Sequence, residues 1–490
     1  MADLDDLLTT ADASTVVARL RAGEVSSVEV LDAQLDRLDR FGGAVNAVIA
    51  LDADRARAAA TAADDARTAG QELGPLAGLP ITLKDVFETE GLVTCAGSPA
   101  LAEHVPADDA DASAALKNDG AIVYGKTNVP LLAGDHQTIN DVHGLTRNPW
   151  DPERTSGGSS GGAAVALACG FTTIEVGSDI GGSIREPSHF NGVYGLKPTQ
   201  GLLSLRGHIP PMPGSLAPGD LGVVGPMGRS IADLGLVLDS LLGVGAFGGV
   251  PGAALPAAGG QLDGQLELTG LRVALWDDQP DLAPVAGGVA GVARSVAGVI
   301  DAAGGSVSDA RPAIEAASLH ETYLALLTAA IGAGFPPKLF DRMVAQVDAG
   351  DAPSHVRTSV TRFKDWARAD EARHQAIAAW HALFETVDVV IAPVAPTVAF
   401  PHNTETSYWD RTTEVDGDTR AYTELLFWAG LPTMPGLPSL VIPAGEVGGL
   451  PCGVQLIGPK WSERRLLAIG AALDAAIGRG FVPPPLVTGS

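Results

Sequence analysis

The segment of residues 133–207 is dense in glycine, serine, asparagine and proline, and it constrains the fold more than any other part of the sequence. Ordering such a segment is costly because glycine loses more backbone freedom on folding than any other residue. Loops of this kind are kept ordered where they line a functional site. Within it the sequence predicts one clear helix, at about residues 163–168. We therefore expect functional residues of this chain in this segment.

Helical and strand patterns alternate on both sides of this segment. Residues 1–70 are predicted to be helical, and Ser26 and Glu29 have the spacing of a capping box. Residues 79–83 form an apolar run, typical of a buried strand, that ends at Lys84. Further strands are predicted at residues 121–124, 271–275, 387–391 and 440–442, and a closing helix at residues 463–477. These patterns predict one large α/β domain, with the segment 1–70 packed on a catalytic domain of residues 71–490.

The composition excludes several classes of function. The formal net charge is −26, so the surface repels phosphate groups, and we expect neither nucleic acid nor a membrane as a partner. Cys95, Cys169 and Cys452 are widely spaced, so neither a disulfide framework nor a thiolate metal site is predicted. The first ten residues are acidic and lack an apolar core, so we expect a cytoplasmic location.

The sequence Gly181-Gly182-Ser183 offers a serine that follows two residues without a Cβ atom. Such a turn can aim consecutive backbone N–H groups at one point beside the hydroxyl, as an oxyanion hole requires. Taken alone, it is equally consistent with a glycine turn that carries an exposed serine. As a nucleophile, Ser183 would need a base to remove its proton.

Lys84 is the candidate base. No histidine lies in or beside these glycine loops in sequence, and His136 and His143 are interpreted as pocket or turn residues. A lysine can serve when burial lowers its pKa and populates the neutral amine. The end of an apolar strand is a place where such desolvation is expected. The alternative is a surface lysine at a strand end.

Two motif matches are interpreted as loops. Residues 158–162 match the G-x-S-x-G nucleophile elbow of α/β-hydrolases, which would make Ser160 the nucleophile with a downstream Asp and His. That elbow needs a strand entering it, and the preceding residues 148–154 contain two prolines. Residues 243–248 match G-x-G-x-x-G but follow a helical pattern instead of a strand.

Three motifs together resemble the amidase signature family: residues 78–85 (GLPITLKD), 157–162 (GGSSGG) and 177–185 (GSDIGGSIR). Ser183 follows Ser159 by 24 residues, as the nucleophile of that family follows its bridging serine. The likeness continues through residues 192–199, 225–227, 388–393 and 449–457. It covers most of the chain and is weakest over about residues 240–385.

The resemblance implies a triad of Lys84, Ser159 and Ser183, with the Gly158–Ser159 peptide in cis. Neutral Lys84 would take the proton of Ser159, which would take that of Ser183 as it attacks a carbonyl carbon. The resemblance also implies a mixed β-sheet covered by helices on both faces, and it requires no metal or organic cofactor. The remaining implied site residues are four oxyanion donors (the N–H groups of Ile180, Gly181, Gly182 and Ser183) and three supporting side chains (Ser160, Asp179 and Arg185).

Departures from the family pattern bear on the substrate. Many members carry an acidic residue after the proline of a Thr-Asn-x-Pro segment, whereas Leu131 and Leu132 follow here. Asp135, Gln137 and Asn140 instead resemble a subgroup active on aryl or bulky amides.

Residues 311–430 depart most from the family and are the predicted substrate-pocket region. Tyr408 and Trp409 lie there in a polar stretch without periodicity, where large aromatic side chains indicate contact with a ligand or lid. We therefore expect a small-molecule amide, carbamate or ester with an aryl or long-chain group as substrate, and a monomer or homodimer.

Two other functions stay open. One is the glutamine-hydrolysing subunit of a tRNA-dependent amidotransferase, which works only with partner subunits. The other is a non-enzymatic protein whose glycine loops bind an anion, with Lys84 and Ser183 idle.

Overall fold

Eight strands form one large mixed sheet and three more form a small sheet in the computed structural model, which describes residues 2–242 and 266–489. The strands are β1 (Val48–Leu51), β2 (Pro80–Lys84), β3 (Ile122–Thr127), β4 (Ile139–Asn140), β5 (Gly144–Leu145), β6 (Ile174–Asp179), β7 (Tyr194–Lys197), β8 (Val223–Gly228), β9 (Arg272–Leu275), β10 (Ser306–Ser308), β11 (Val389–Pro393), β12 (Thr412–Val415), β13 (Asp418–Ala421), β14 (Ser439–Val447) and β15 (Leu450–Ile457). Residues 243–248, interpreted above as a loop, lie outside the described residues.

The large sheet has the strand order β10-β9-β11-β15-β14-β7-β8-β6. Strand β9 runs parallel to β10 and β11, and the other neighbouring pairs are antiparallel. In the small sheet, β3 lies between β1 and β2 and runs parallel to β2. The pairs β4–β5 and β12–β13 form separate antiparallel ribbons.

Helices surround these sheets. They are α1 (Ala2–Thr10), α2 (Ala13–Ala22), α3 (Ser27–Val45), α4 (Ala53–Thr68), α5 (Asp111–Asn118), α6 (Gly161–Cys169), α7 (Arg185–Asn191), α8 (Ile231–Leu242), α9 (Gly287–Ala302), α10 (Ala316–Gly332), α11 (Pro337–Ala349), α12 (Ser354–Ser359), α13 (Phe363–Phe384), α14 (Leu425–Thr433), α15 (Glu463–Ile477) and α16 (Pro485–Thr488). Among the described helices, none is both long and apolar enough to cross a lipid bilayer.

Strand β11 shows how both faces of the large sheet are covered. Side chains alternate between faces along a strand. Val389 and Ile391 pack in a hydrophobic cluster with residues of α8, α9 and α15. Val390 and Ala392 join another cluster, with residues of α10 and α13. The predicted α/β fold, a mixed sheet with helices on both faces, is confirmed.

Helices α1–α4 occupy most of the segment predicted to be helical. Strand β1 also lies in this segment and pairs with β3, so the prediction of helix is wrong for these four residues. The capping box at the start of α3 is confirmed, because the Ser26 hydroxyl accepts from Glu29 N while the Glu29 carboxylate accepts from Ser26 N. Leu8 and Val16 belong to the same cluster as the sheet residue Val176. The segment therefore packs on the core of the sheet, and its boundary at residue 70 stays a prediction.

Strands β2 and β6 bring the candidate site together. Lys84 is the last residue of β2 and Asp179 the last residue of β6. A buried hydrogen bond of 2.7 Å from Thr82 Oγ1 to Glu175 Oε1 links the two strands. The carboxyl ends of strands from different sheets therefore lie side by side.

Candidate active site

The Lys84 side chain is fully buried at the end of β2. Its Nζ lies 2.8 Å from Ser159 Oγ, 3.0 Å from Ser178 Oγ and 3.4 Å from Ser178 O. Burial lowers the pKa of Lys84 to about 7, although the carboxylates of Asp179 and Glu175 oppose the shift. A substantial fraction of this amine is therefore neutral at pH 7, as a base requires.

Ser159 lies in a tight loop that leads into α6. The Gly158–Ser159 peptide bond is cis, as the resemblance implies. A Cβ atom on Gly158 would lie 2.2 Å from Asp135 O, so this close approach of two backbone segments requires glycine. The packing leaves Ser159 only 1% exposed, with its hydroxyl on Lys84 Nζ.

Ser183 lies between β6 and α7, in a loop braced by a buried ion pair. Arg185 donates from Nη2 to Asp179 Oδ1 at 2.8 Å and from Nε to Asp179 Oδ2 at 3.0 Å. Burial alone would raise the pKa of Asp179, but the charge and hydrogen bonds of Arg185 outweigh it and hold that pKa at about 2. A 3.1 Å hydrogen bond from Ser160 N to Ser183 O joins this loop to the Ser159 loop.

Replacing Arg185 by methionine should destabilise the fold by roughly 3–5 kcal/mol, because it leaves the Asp179 carboxylate buried without its partner. Urea unfolding measures this loss. Arg368→Met is the matched control: its ion pair with Asp365 is exposed, at 69% and 53%, and should contribute about 1 kcal/mol or less. Equal losses in the two variants would contradict the bracing role.

The four predicted oxyanion donors differ in their availability. Gly182 N donates to Asp179 Oδ1 at 3.0 Å, so this N–H is already committed to holding the loop. To donate to an oxyanion, Gly182 N would have to share or release this hydrogen bond, and its predicted role stays a prediction. The N–H groups of Ile180, Gly181 and Ser183 make no hydrogen bond to any described residue and stay candidates.

The Ser160 side chain does not enter the hydrogen-bond network that the resemblance implies. Its hydroxyl is buried and has no partner among the described residues. The residue is the N-cap of α6, and turns and isolated bridges instead of a strand precede the loop. The strand-to-helix geometry of a nucleophile elbow is absent at this position.

A cluster of polar aromatic side chains lies beside the nucleophile loop. His136 Nδ1 is 2.7 Å from Glu186 Oε2, and His136 Nε2 is 3.0 Å from Tyr408 Oη. Burial opposes the charge on His136, but Glu186 outweighs burial and raises the pKa of His136 overall. Tyr422 packs edge-on against His136, and its hydroxyl donates to Asp135 Oδ1 at 2.8 Å.

Helices α10 and α14 approach the nucleophile loop from the predicted pocket region. Tyr323 Oη donates to Ile180 O at 2.8 Å. A Cβ atom on Gly181 would lie 3.3 Å from Leu426 Cδ2. Neither Tyr323 nor Glu186 was predicted; Glu186 follows Ser183 by one helical turn, which is the signal that could have marked it, whereas Tyr323 is distant in sequence.

The other predicted pocket residues differ in their partners and in their exposure. Asp135 is paired with Arg411 at 2.5 Å, and the Gln137 side chain holds the backbone of Asn403 through two hydrogen bonds. Trp409 is 39% exposed and stacks on His355 with ring centroids 4.0 Å apart. These contacts place Tyr408 closer to the nucleophile loop than Trp409.

The structure does not bring Leu131 and Leu132 into this aromatic cluster. Leu131 is 52% exposed, and Leu132 packs against the core of the sheet. Both lie in a short turn after β3, where Leu132 N donates to Ala96 O. That Leu131 and Leu132 bear on the choice of substrate stays a prediction.

One group of side chains has donor atoms suited to a zinc ion. Atoms of Asp85, Cys95 and His143 lie within 4.8 Å of one another. Cys95 Sγ is 3.1 Å from Asp85 Oδ2 and 3.4 Å from His143 Nε2. Hydrogen bonds among these side chains account for the grouping without an ion, and the sequence prediction of no metal site stays a prediction.

Comparison with known proteins identifies the class of this enzyme. The family model described as Amidase matches residues 29–467, nearly the whole chain. The chain therefore belongs to the amidase signature family and acts on the C–N bond of amides. This membership excludes the α/β-hydrolase class, and the identity of the nucleophile stays a prediction.

Several relatives resemble the chain along most of its length. A glutamyl-tRNA(Gln) amidotransferase subunit from Roseiflexus sp. (strain RS-1) is 34% identical, with 95% of each chain covered. Indoleacetamide hydrolase of Bradyrhizobium diazoefficiens is 33% identical, with 94% of this chain and 85% of the relative covered. The solved structure of fatty acid amide hydrolase superposes with a TM-score of 0.81, covering 98% of this chain and 87% of that one; at 23% identity it shows the fold alone.

Proposed function

We propose that the chain hydrolyses a neutral small-molecule amide with an aryl or bulky apolar group, through an acyl-enzyme on Ser183. The position of the Lys84 amine supports this proposal. The amine is fully buried, lies 2.8 Å from the Ser159 hydroxyl and is beside the Ser183 loop. A serine is a weak nucleophile without a base, and this amine is the base that the site offers.

The proposed reaction moves one proton along three side chains. Neutral Lys84 takes the proton of Ser159, and Ser159 takes that of Ser183 as Ser183 Oγ bonds to the carbonyl carbon. The N–H groups of Ile180, Gly181 and Ser183 stabilise the oxyanion. The relay returns the proton to the leaving amine as the C–N bond breaks. Water then attacks the acyl-enzyme by the same route, so carbamates and esters fit the same chemistry.

Charge pairing around the loop supports a neutral substrate. The charged side chains identified there are already paired: Asp179 with Arg185, Glu186 with His136, and Asp135 with Arg411. Free glutamine carries an ammonium and a carboxylate, and a site that binds it needs unpaired charges for both. In the polar aromatic cluster, His136 and Tyr422 are buried, and the half-buried ring of Tyr408 offers apolar surface with a hydroxyl group at its edge.

A second candidate is the glutamine-hydrolysing component of an amidotransferase. It is favoured by the 34% identity to the glutamyl-tRNA(Gln) amidotransferase subunit from Roseiflexus over 95% of both chains. Such a component would depend on partner proteins for its activity. The two candidates therefore differ in what the isolated chain can hydrolyse.

Turnover of a substrate panel by the purified chain separates the candidates. We expect an anilide to exceed acetamide by more than about tenfold in kcat/KM, or about 1.4 kcal/mol, and to exceed glutamine as well. Tyr408→Ala should lower kcat/KM for the anilide and so reduce its ratio to that for acetamide. Trp409→Ala should reduce this ratio less. Phe363→Ala, which removes an aromatic side chain that is 80% exposed, is the control and should leave selectivity unchanged. Equal efficiency on anilide and acetamide, or a preference for glutamine, would refute the proposal.

The pH profile should follow the ionisation of Lys84. Because the neutral amine is the active form, kcat/KM should rise with pH through about 7 and then level off. Glu175→Gln removes a carboxylate that favours the ammonium, so it should move the rise to lower pH. Activity that falls with rising pH, or a profile that Glu175→Gln shifts upward, would exclude Lys84 as the base.

A further inference from the structure

The segment that carries His208 is docked on the residues that follow Lys84. Ile209 N donates to Val86 O at 2.8 Å, and Glu88 N donates to Gly207 O at 2.9 Å. The ring of His208 also packs edge-on against Phe87, with centroids 5.5 Å apart. His208, 30 residues after Ser178 in the sequence, is thereby held next to the candidate base.

The hydrogen bonds of His208 determine which ring nitrogen carries the proton. Nδ1 lies 2.8 Å from Pro210 O, and a carbonyl oxygen can only accept, so Nδ1 carries the hydrogen. Burial lowers the pKa of His208 to about 4, so the ring is neutral at pH 7. In that neutral ring Nε2 is an acceptor.

The hydroxyl of Ser178 lies between His208 and Lys84, so its hydrogen bond to His208 determines how it can bind Lys84. His208 Nε2 lies 2.8 Å from Ser178 Oγ, so the serine hydroxyl donates its one hydrogen to the ring. The same oxygen lies 3.0 Å from Lys84 Nζ, and with its hydrogen used it can only accept from the amine. Ser178 O, 3.4 Å from Nζ, is a second acceptor.

A neutral lysine amine has two hydrogens and one lone pair. Both hydrogens are used by the two oxygens of Ser178, so the lone pair is left for the third contact, Ser159 Oγ at 2.8 Å. The Ser159 hydroxyl must then donate to Lys84. This is the direction of proton transfer that the relay requires.

We propose that His208 is a positioning residue that, through Ser178, directs the lone pair of Lys84 at Ser159. The inference rests on the proposed function, in which Lys84 is the base. Without an acceptor at position 208, the Ser178 hydroxyl is free to turn and donate to the Lys84 lone pair. It would then compete with Ser159 and block the relay.

The test measures how fast a fluorophosphonate labels Ser183, which needs no knowledge of the substrate. His208→Phe keeps a ring beside Phe87 but removes the acceptor, and should slow labelling by about tenfold or more. Ser178→Ala removes the competing hydroxyl together with one acceptor, and it should slow labelling by about fivefold or less. The double variant should label as fast as Ser178→Ala alone, so the second substitution should rescue the first. His208→Leu also removes the acceptor and is measured as a second variant. If one of the two variants folds poorly, the other still tests the proposal.

The outcomes separate the inference from the function on which it rests. A merely structural role for His208 predicts that the double variant is slower than either single variant, and that result would overturn the inference. Labelling of the folded His208 variants at the wild-type rate would also overturn it, while the loss in Lys84→Ala still supported the proposed function. Labelling of Lys84→Ala at the wild-type rate would overturn both.

Discussion

Ser183→Ala should lower kcat by at least about 10³-fold, because it removes the only atom that forms the acyl-enzyme. The loop around it should stay intact, since Asp179 and Arg185 hold it through contacts that do not involve the Ser183 hydroxyl. Steady-state kinetics on an anilide measure the loss, and thermal unfolding checks that the variant is folded.

Ser160→Ala is the matched control for this prediction. Ser160 is adjacent to the bridging serine and equally buried, but its hydroxyl has no partner among the described residues. Clear activity should remain in this variant. If Ser160→Ala were inactive and Ser183→Ala active, the assignment of the nucleophile would be wrong.

Lys84→Arg should be as inactive as Lys84→Ala, with at least about a 10³-fold loss in kcat for each. Arginine keeps a positive charge but does not release its proton at any pH at which the protein is folded, so it cannot accept one from Ser159. A residue that acted only through its charge would instead tolerate the change. The same kinetic assay, run at pH 8, distinguishes the two roles.

Lys126 provides the control, because it is a second buried lysine on the neighbouring strand β3. Its Nζ donates to Phe87 O and Thr89 Oγ1, which an arginine can also do, and no step of the reaction uses it. Lys126→Arg should therefore keep most of the activity. An active Lys84→Arg beside an inactive Lys126→Arg would contradict the relay.

Local sequence patterns predicted one of the two strands that end at the site, and several elements elsewhere in the chain. The apolar run before Lys84 is β2, and the helix predicted at residues 463–477 is α15. The strands β6 and β7 were not predicted, because they lie in the glycine-rich segment where alternation of apolar residues is weak. In α3 the polar side chains of Gln34 and Arg37 are buried, because Gln34 binds Pro80 O while Arg37 binds Cys169 O and Asp5. Such distant partners are not visible in the local pattern.

The motifs predicted the three residues of the candidate triad, but not the side chains that contact them. Lys84, Ser159 and Ser183 carry strong local signals, since glycines flank both serines and an apolar strand precedes the lysine. The partners that orient them come from distant segments: His208 reaches Lys84 through Ser178, and Tyr323 reaches the nucleophile loop from α10. Such contacts depend on tertiary packing, which the local pattern does not contain.

The proposed mechanism requires that Ser183 is the nucleophile and that neutral Lys84 activates it. Mass spectrometry of the protein after reaction with a fluorophosphonate at pH 8 tests this most directly. We expect one adduct, on the peptide that contains Ser183, and its loss in Lys84→Arg. An adduct on Ser160 with Ser183 unmodified, or labelling of Ser183 in Lys84→Arg at the wild-type rate, would contradict it.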